Sequence, residues 1–139
     1  MGLEIRGMAP LLEVFDMPAS IAFYRDVLGF KIRTTDGKPV PNNDWVWLER
    51  EDVHLMLNTA YESDKRPAAP DARRVAAHHD VCLYFGCPDV DGAYGYLREK
   101  RIKLEPPKVA PYGMKQLYVL DPDGYNLCFQ WSAAEGARS

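Results

Sequence analysis

The order of short strands and helices along this chain occurs twice, and that repetition limits what it can fold into more than any other feature. Leu11 to Phe15 is an apolar run broken only by Glu13 and reads as a strand. Asp16-Met17-Pro18 supplies a turn, Ser20 stands where a helix begins or is capped, and Ile21, Tyr24 and Leu28 then recur at helical spacing. Gly29 falls where a helix ends in a left-handed residue. Phe30-Lys31-Ile32-Arg33-Thr34 alternates apolar and polar, and Asp36-Gly37 is a hairpin-type turn signal. Trp45 to Leu48 and Val53 to Leu57 are two more strands, joined by the charged turn Glu49-Arg50-Glu51-Asp52. The order then returns. Val81 to Phe85 reads as a strand, Pro88-Asp89 opens a helix that buries Val90, Tyr94 and Leu97, and a short strand is expected at Ile102–Leu104. After a bend at Pro106, Pro107 and Pro111, a hairpin of Lys115–Leu120 and Tyr125–Trp131 closes around Asp121-Pro122-Asp123-Gly124.

The chain is thus expected to be α+β, two tandem βαβββ modules about 70 residues apart. Module 1 covers about 8–58 and module 2 about 80–131 of a single domain, 1–139. The connector, 59–79, is charged, holds Pro67 and Pro70 and has no sustained period, so it reads as exposed; the tail from Ser132 is small and polar and is expected to fray. A strand face turned away from its helix needs another cover. Two half-sheets that curve around a shared, cup-shaped cavity, in a mixed and mostly antiparallel arrangement, supply it.

The formal net charge of −3 leaves no basic footprint for nucleic acid, and the apolar runs fall far short of a membrane span. Cys82, Cys87 and Cys128 are odd in number, lack CxxC spacing and follow no signal peptide, which points away from disulfides and toward the cytoplasm.

Three stretches carry a resemblance. Ile21-Ala22-Phe23-Tyr24-Arg25-Asp26-Val27-Leu28-Gly29-Phe30, Asp89-Val90-Asp91 and Tyr118-Val119-Leu120-Asp121-Pro122-Asp123-Gly124-Tyr125 resemble the first helix, the start of the second helix and the last hairpin of the vicinal oxygen chelate superfamily, which includes glyoxalases, extradiol dioxygenases and bleomycin-resistance proteins. In the enzymes of that superfamily a divalent metal is held by His, Gln or Glu from four strands. Matched motif by motif, those positions fall on Ala9, Leu55, Cys82 and Cys128. Alanine and leucine cannot ligate, and two thiols are fewer than a zinc site takes. The resemblance is therefore to metal-free members of the bleomycin-resistance type, which work as dimers whose clefts sequester a drug without chemistry. No metal and no cofactor is expected, and a homodimer is, with the cavity formed either within one chain or across two.

Alternation then names the cup's lining. Leu11 and Glu13 share a face with Ala9, Val53 and Leu57 with Leu55, Tyr84 with Cys82, and Asn126 and Gln130 with Cys128; Met114, Gln116 and Tyr118 are further wall candidates. Trp45 and Trp47 share a face, inward or outward. Glu13, Leu55, Leu57, Cys82, Tyr84, Tyr118, Cys128 and Gln130 are the residues expected to bind a small ligand, cationic or aromatic. A carboxylate in an apolar cup is costly unless matched. Glu13 thus meets a cationic ligand, acts as a general base, pairs with Arg33 or Lys115, or is exposed at the rim. The other reading is a metal-dependent lyase, isomerase or dioxygenase with ligands relocated to His54, His79, Glu13 or Cys128. A slip of one residue would turn His54 inward; otherwise the histidines belong to surface or loop, and a buried one would need a carbonyl or carboxylate partner.

Overall fold

A computed structural model describes residues 2–62 and 64–136 and divides the chain into two compact units, Met1–Ala69 and Pro70–Ser139. The end of the tail expected to fray, residues 137–139, lies outside the described residues. The first unit contains β1 (Leu11–Val14), α1 (Met17–Ile21) with a π-helical continuation (Ala22–Val27), β2 (Lys31–Thr35), β3 (Trp45–Arg50) and β4 (Val53–Thr59). The strand order is β1-β4-β3-β2, with β1 parallel to β4 and the other pairs antiparallel. The second unit repeats it: β5 (Cys82–Gly86), α3 (Val90–Glu99), β6 (Lys108–Val109), β7 (Met114–Leu120) and β8 (Asn126–Ser132) form a sheet of order β5-β8-β7-β6, with β5 parallel to β8. The expected tandem modules are present as two open, mixed four-stranded sheets with helices.

The first helix begins earlier than Ser20. Asp16 is its cap, accepting from the Ala19 amide at 3.1 Å, and Pro18 occupies the first turn, where a missing N–H costs nothing. Ser20 is buried inside the helix instead. The helix widens to a π turn, in which Leu28 N–H donates to Phe23 O at 3.0 Å. It ends at Gly29, φ +80°, with Phe30 N–H reaching Tyr24 O at 2.9 Å. Arg50 Nη1 donates to the last free carbonyl, Leu28 O, at 2.6 Å. Ile21 and Tyr24 are fully buried with Leu12, Val14, Val46, Leu48, Leu55 and Leu57 of the sheet. Each such aliphatic side chain contributes about 1.5–3 kcal/mol of burial. In the second unit Val90 and Leu97 of α3 do the same, while Tyr94 is half-buried.

Two readings of the sequence are corrected here. Ile102–Leu104 belongs to no strand; the strand falls at Lys108–Val109, because Pro106 and Pro107 have no N–H to give a ladder and the chain pairs with β7 only after them. The connector is not bare either: it contains α2 (Ala72–Ala77), capped by Asp71, and a 3-10 turn (His78–Asp80). These dock on the β7–β8 turn. His78 is buried, not on the surface, with Nδ1 2.7 Å from Asp123 O and its ring stacked 3.7 Å from Tyr125. The carbonyl partner expected of a buried histidine is thus in place. Asp123, buried as well, pairs with Arg74 at 3.0 Å, and Asp121 Oδ1 accepts from the Asp123 and Tyr125 amides at 2.9 Å. A Cβ on Gly124, φ +84°, would come within 2.9 Å of Val75. No helix of the described residues is long and apolar enough to cross a membrane.

Removing one partner of a buried ion pair strands the other. Asp123→Ala is expected to cost roughly 3 kcal/mol in urea unfolding, whereas His79→Ala, at an exposed position, should stay within about 0.5 kcal/mol. Equal small effects would show that the clasp between α2 and the turn contributes nothing.

Candidate functional site

Paired residues of neighbouring strands project to the same side of a sheet, so register assigns each side chain to the helix-covered face or to the open one. Three rows cross the open face of the second sheet. Cys82, Asn126 and Leu120 form one, Tyr84, Cys128 and Tyr118 the next, and Gly86, Gln130 and Gln116 the third, which Lys108 extends onto β6. Five expected site residues, Cys82, Tyr84, Tyr118, Cys128 and Gln130, therefore share one face. The Tyr118 hydroxyl donates to Gln116 Oε1 at 3.3 Å and lies 3.4 Å from the Tyr84 hydroxyl. Gln116 Nε2 donates to Gln130 Oε1 at 2.9 Å and to the Tyr112 hydroxyl at 2.8 Å. Beside them Glu105, Pro106, Lys108, Ala110, Gln116 and Tyr118 line an open recess of about 250 Å³. Tyr112 gave no signal in the sequence; it sits in the bend between Pro111 and Gly113, and only the fold brings it to Gln116.

The hydrogen bond with Tyr84, and then burial, hold the Tyr118 hydroxyl well above the ordinary phenol range. Desolvation pushes the Cys82 and Cys128 thiols up, against the opposing hydrogen bonds from Tyr84 and Tyr118. None of the three is primed as a nucleophile.

On the first sheet the open face carries Trp45, Asn58 and Glu13 in one row and Trp47, Met56 and Leu11 in the next. Both tryptophans therefore stand on Glu13's side. Leu55 and Leu57, expected beside Glu13, lie on the opposite face, 1% and 0% exposed in the helix-covered core. The reason is physical: Val53, Leu55 and Leu57 are the more apolar row, and water is excluded on the helix side. His54 consequently turns to the open face, where Trp47 Nε1 donates to its Nδ1 at 3.1 Å. An indole N–H only donates, so that nitrogen carries no proton. Glu13 is exposed and accepts from Asn58 Nδ2 at 2.9 Å. The ion pairs suggested for it go elsewhere: Arg33 is 3.9 Å from Glu49, and Lys115 binds Asp91 at 2.5 Å.

Register also corrects the metal positions. Leu11 pairs with Met56 as Tyr84 pairs with Cys128, so the halves match Ala9 to Cys82 and Met56, not Leu55, to Cys128. Ala9 has no donor, the Met56 thioether is a weak ligand, and both thiols are held protonated. Neither half's pair fits a divalent ion that takes His, Asp or Glu. Among the described residues no three His, Cys, Asp or Glu side chains group so as to hold a metal.

Two parallel-paired, helix-backed βαβββ sheets define a class of small paired-module proteins, and comparison with known proteins gives the family. The profile of the Glyoxalase/Bleomycin resistance protein/Dioxygenase superfamily matches residues 9–129. The chain belongs to that superfamily. It is 31% identical over 124 residues to the uncharacterized protein YaeR of Escherichia coli strain K12, covering 81% of this chain and 84% of that one. Among solved structures, TnmS3, an antibiotic binding protein from Streptomyces sp. CB03234, is similar with a TM-score of 0.67 at 21% identity, over 95% of this chain and 98% of its own. A lactoylglutathione lyase from Agrobacterium tumefaciens has a TM-score of 0.65 at 21% identity, over 88% and 90%. At such identity the last two show the fold alone.

A raised thiol pKa leaves less thiolate at any pH below it. Alkylation of Cys82 by iodoacetamide, followed by mass spectrometry, is expected to rise with pH about a midpoint above the ordinary thiol value of 9.0. A midpoint below it would mean an activated cysteine.

Proposed function

We propose that this chain is a binding protein of the superfamily that sequesters a small aromatic or cationic molecule, with no metal ion and no bond made or broken. One observation carries the reading. In the first sheet the positions that would hold the metal are Ala9 and Met56, and its open face keeps Trp45 and Trp47; in the second they are Cys82 and Cys128, and its open face keeps Tyr84, Tyr118, Gln116 and Gln130. Such a mixture suits a planar ligand, with few polar groups to orient it. That a structural neighbour is an antibiotic binding protein agrees with this reading. Glu13, exposed on the first sheet's open face beside Trp45, supplies the acceptor for a ligand's amine. The relocated-ligand enzyme is weaker: the His54 Nδ1 is engaged by Trp47, and His79 is exposed beside the α2 clasp.

We further propose a cytoplasmic homodimer. The three free cysteines support the compartment. The edge strands β1, β2, β5 and β6, which have open backbone for a twofold partner to cover, support the assembly.

Protein purified without chelator or affinity-tag metal should retain less than stoichiometric metal, and calorimetry with Zn²⁺, Ni²⁺, Mn²⁺ and Fe²⁺ should show no micromolar binding. Stoichiometric metal that is lost in His54→Ala or Cys128→Ala would overturn the reading. In a drug and metabolite panel, Glu13→Gln should weaken cationic ligands roughly two- to fivefold, the worth of one exposed charge pair, and leave neutral aromatic ones unchanged.

A further inference from the structure

The hydrogen bonds on the open face of the second sheet converge on Gln116. The Tyr118 hydroxyl donates to Gln116 Oε1 at 3.3 Å and lies 3.4 Å from the Tyr84 hydroxyl, a contact in which either oxygen can be the donor. Both protons of Gln116 Nε2 are spent, one on Gln130 Oε1 and one on the Tyr112 oxygen. With those acceptor sites engaged, the far end keeps the Gln130 Nε2 protons and the Tyr112 hydroxyl proton to donate. Gln116 is 8% exposed and Tyr112 is 69% exposed, so the chain starts from a buried amide and surfaces in those donors. Lys108 stands next to Gln116 across the β6–β7 pair and makes an exposed 3.8 Å contact with Glu105.

We propose that this end of the face recognises an anionic oxygen on an aromatic ligand, a carboxylate or a phenolate, and that Gln116 is the residue that sets this preference. The inference rests on the binding reading above and narrows its ligand class. Gln116 acts as a positioning residue: by giving both its protons to Gln130 and Tyr112 it commits their remaining hydrogens outward. A carboxylate meeting two neutral donors and an ammonium gains charge-assisted hydrogen bonds, and a cation there faces the Lys108 ammonium.

Benzoate and benzamidinium are planar probes of equal size and opposite hydrogen-bonding sense. Each is titrated into the wild-type protein while the Gln130 side-chain amide is followed by two-dimensional NMR. Benzoate is expected to shift that amide and to bind roughly fivefold or more tightly than benzamidinium. In Gln116→Met, which keeps length and leaves Lys108 in place, the ratio should fall toward one with the fold intact by circular dichroism. A preference for benzamidinium, an unchanged ratio in Gln116→Met, or no shift with either probe at millimolar concentration would overturn the proposal. If other aromatic compounds in the panel still bind, the sequestering reading survives that loss; if none does, both fall.

Discussion

Everything on the two open faces depends on the phase of one strand in each half. β4 and β8 are the last strands of their modules in sequence, yet they lie inside the sheets, bonded to a parallel neighbour on one side and an antiparallel one on the other. A slip of one residue would be felt along both edges and would exchange the two faces. For β4 it would expose Leu55 and Leu57, worth about 1.5–3 kcal/mol each. It would also bury His54 and Asn58 away from Trp47 and Glu13, at about 1–3 kcal/mol for each group left unmatched. The sum rivals the whole stability of an ordinary domain, about 5–15 kcal/mol. The register is therefore the firmest part of the fold, and the site inherits it.

That same register makes the halves comparable position by position. Trp47, Met56 and Leu11 in the first sheet occupy the row that Tyr118, Cys128 and Tyr84 hold in the second, and Trp45, Asn58 and Glu13 answer to Gln116, Gln130 and Gly86. The duplicated frame has kept its geometry while its chemistry has diverged. Both rows of the first sheet carry a tryptophan, whereas in the second only the Tyr84, Cys128, Tyr118 row carries rings, and the polar groups differ. The first sheet sets a carboxylate and an amide side by side, and the second joins two amides and three phenols into one network.

Most of the frame was legible in the sequence because period-2 alternation and turn residues are local signals. The strands, the Gly29 helix end and the Asp121–Gly124 turn are all of that kind. In the second half the apolar row Leu127, Phe129, Trp131 contrasts clearly with Asn126, Cys128, Gln130, so the open face could be read directly. In Val53-His54-Leu55-Met56-Leu57 both rows contain apolar residues, and counting by motif chose the wrong one by a single place. What decides it is contact with α1, a tertiary fact. The α2 clasp was hidden for a related reason: only Val75 of its six residues is apolar and larger than alanine, so no periodicity marks it, and the partners of Arg74 and His78 lie more than forty residues away in sequence, at Asp123. Tyr112 and Gln116 come together over four residues, but across a Gly113 bend whose direction the residues do not announce.

The electrostatics of the second sheet agree with the proposed binding role. Burial keeps the Cys82 and Cys128 thiols protonated, and the Tyr84 hydrogen bond keeps Tyr118 a phenol. A general base or nucleophile needs the opposite shift, toward the deprotonated form near neutral pH. Within the network only Gln116 and Cys128 are buried, so the phenols around them meet water as well as each other. Gln116 stands at its centre with an amide that neither gains nor loses a proton. A face built this way keeps its donors and acceptors in one arrangement across the physiological pH range. Such constancy suits the proposed recognition of a small oxygen-bearing ring.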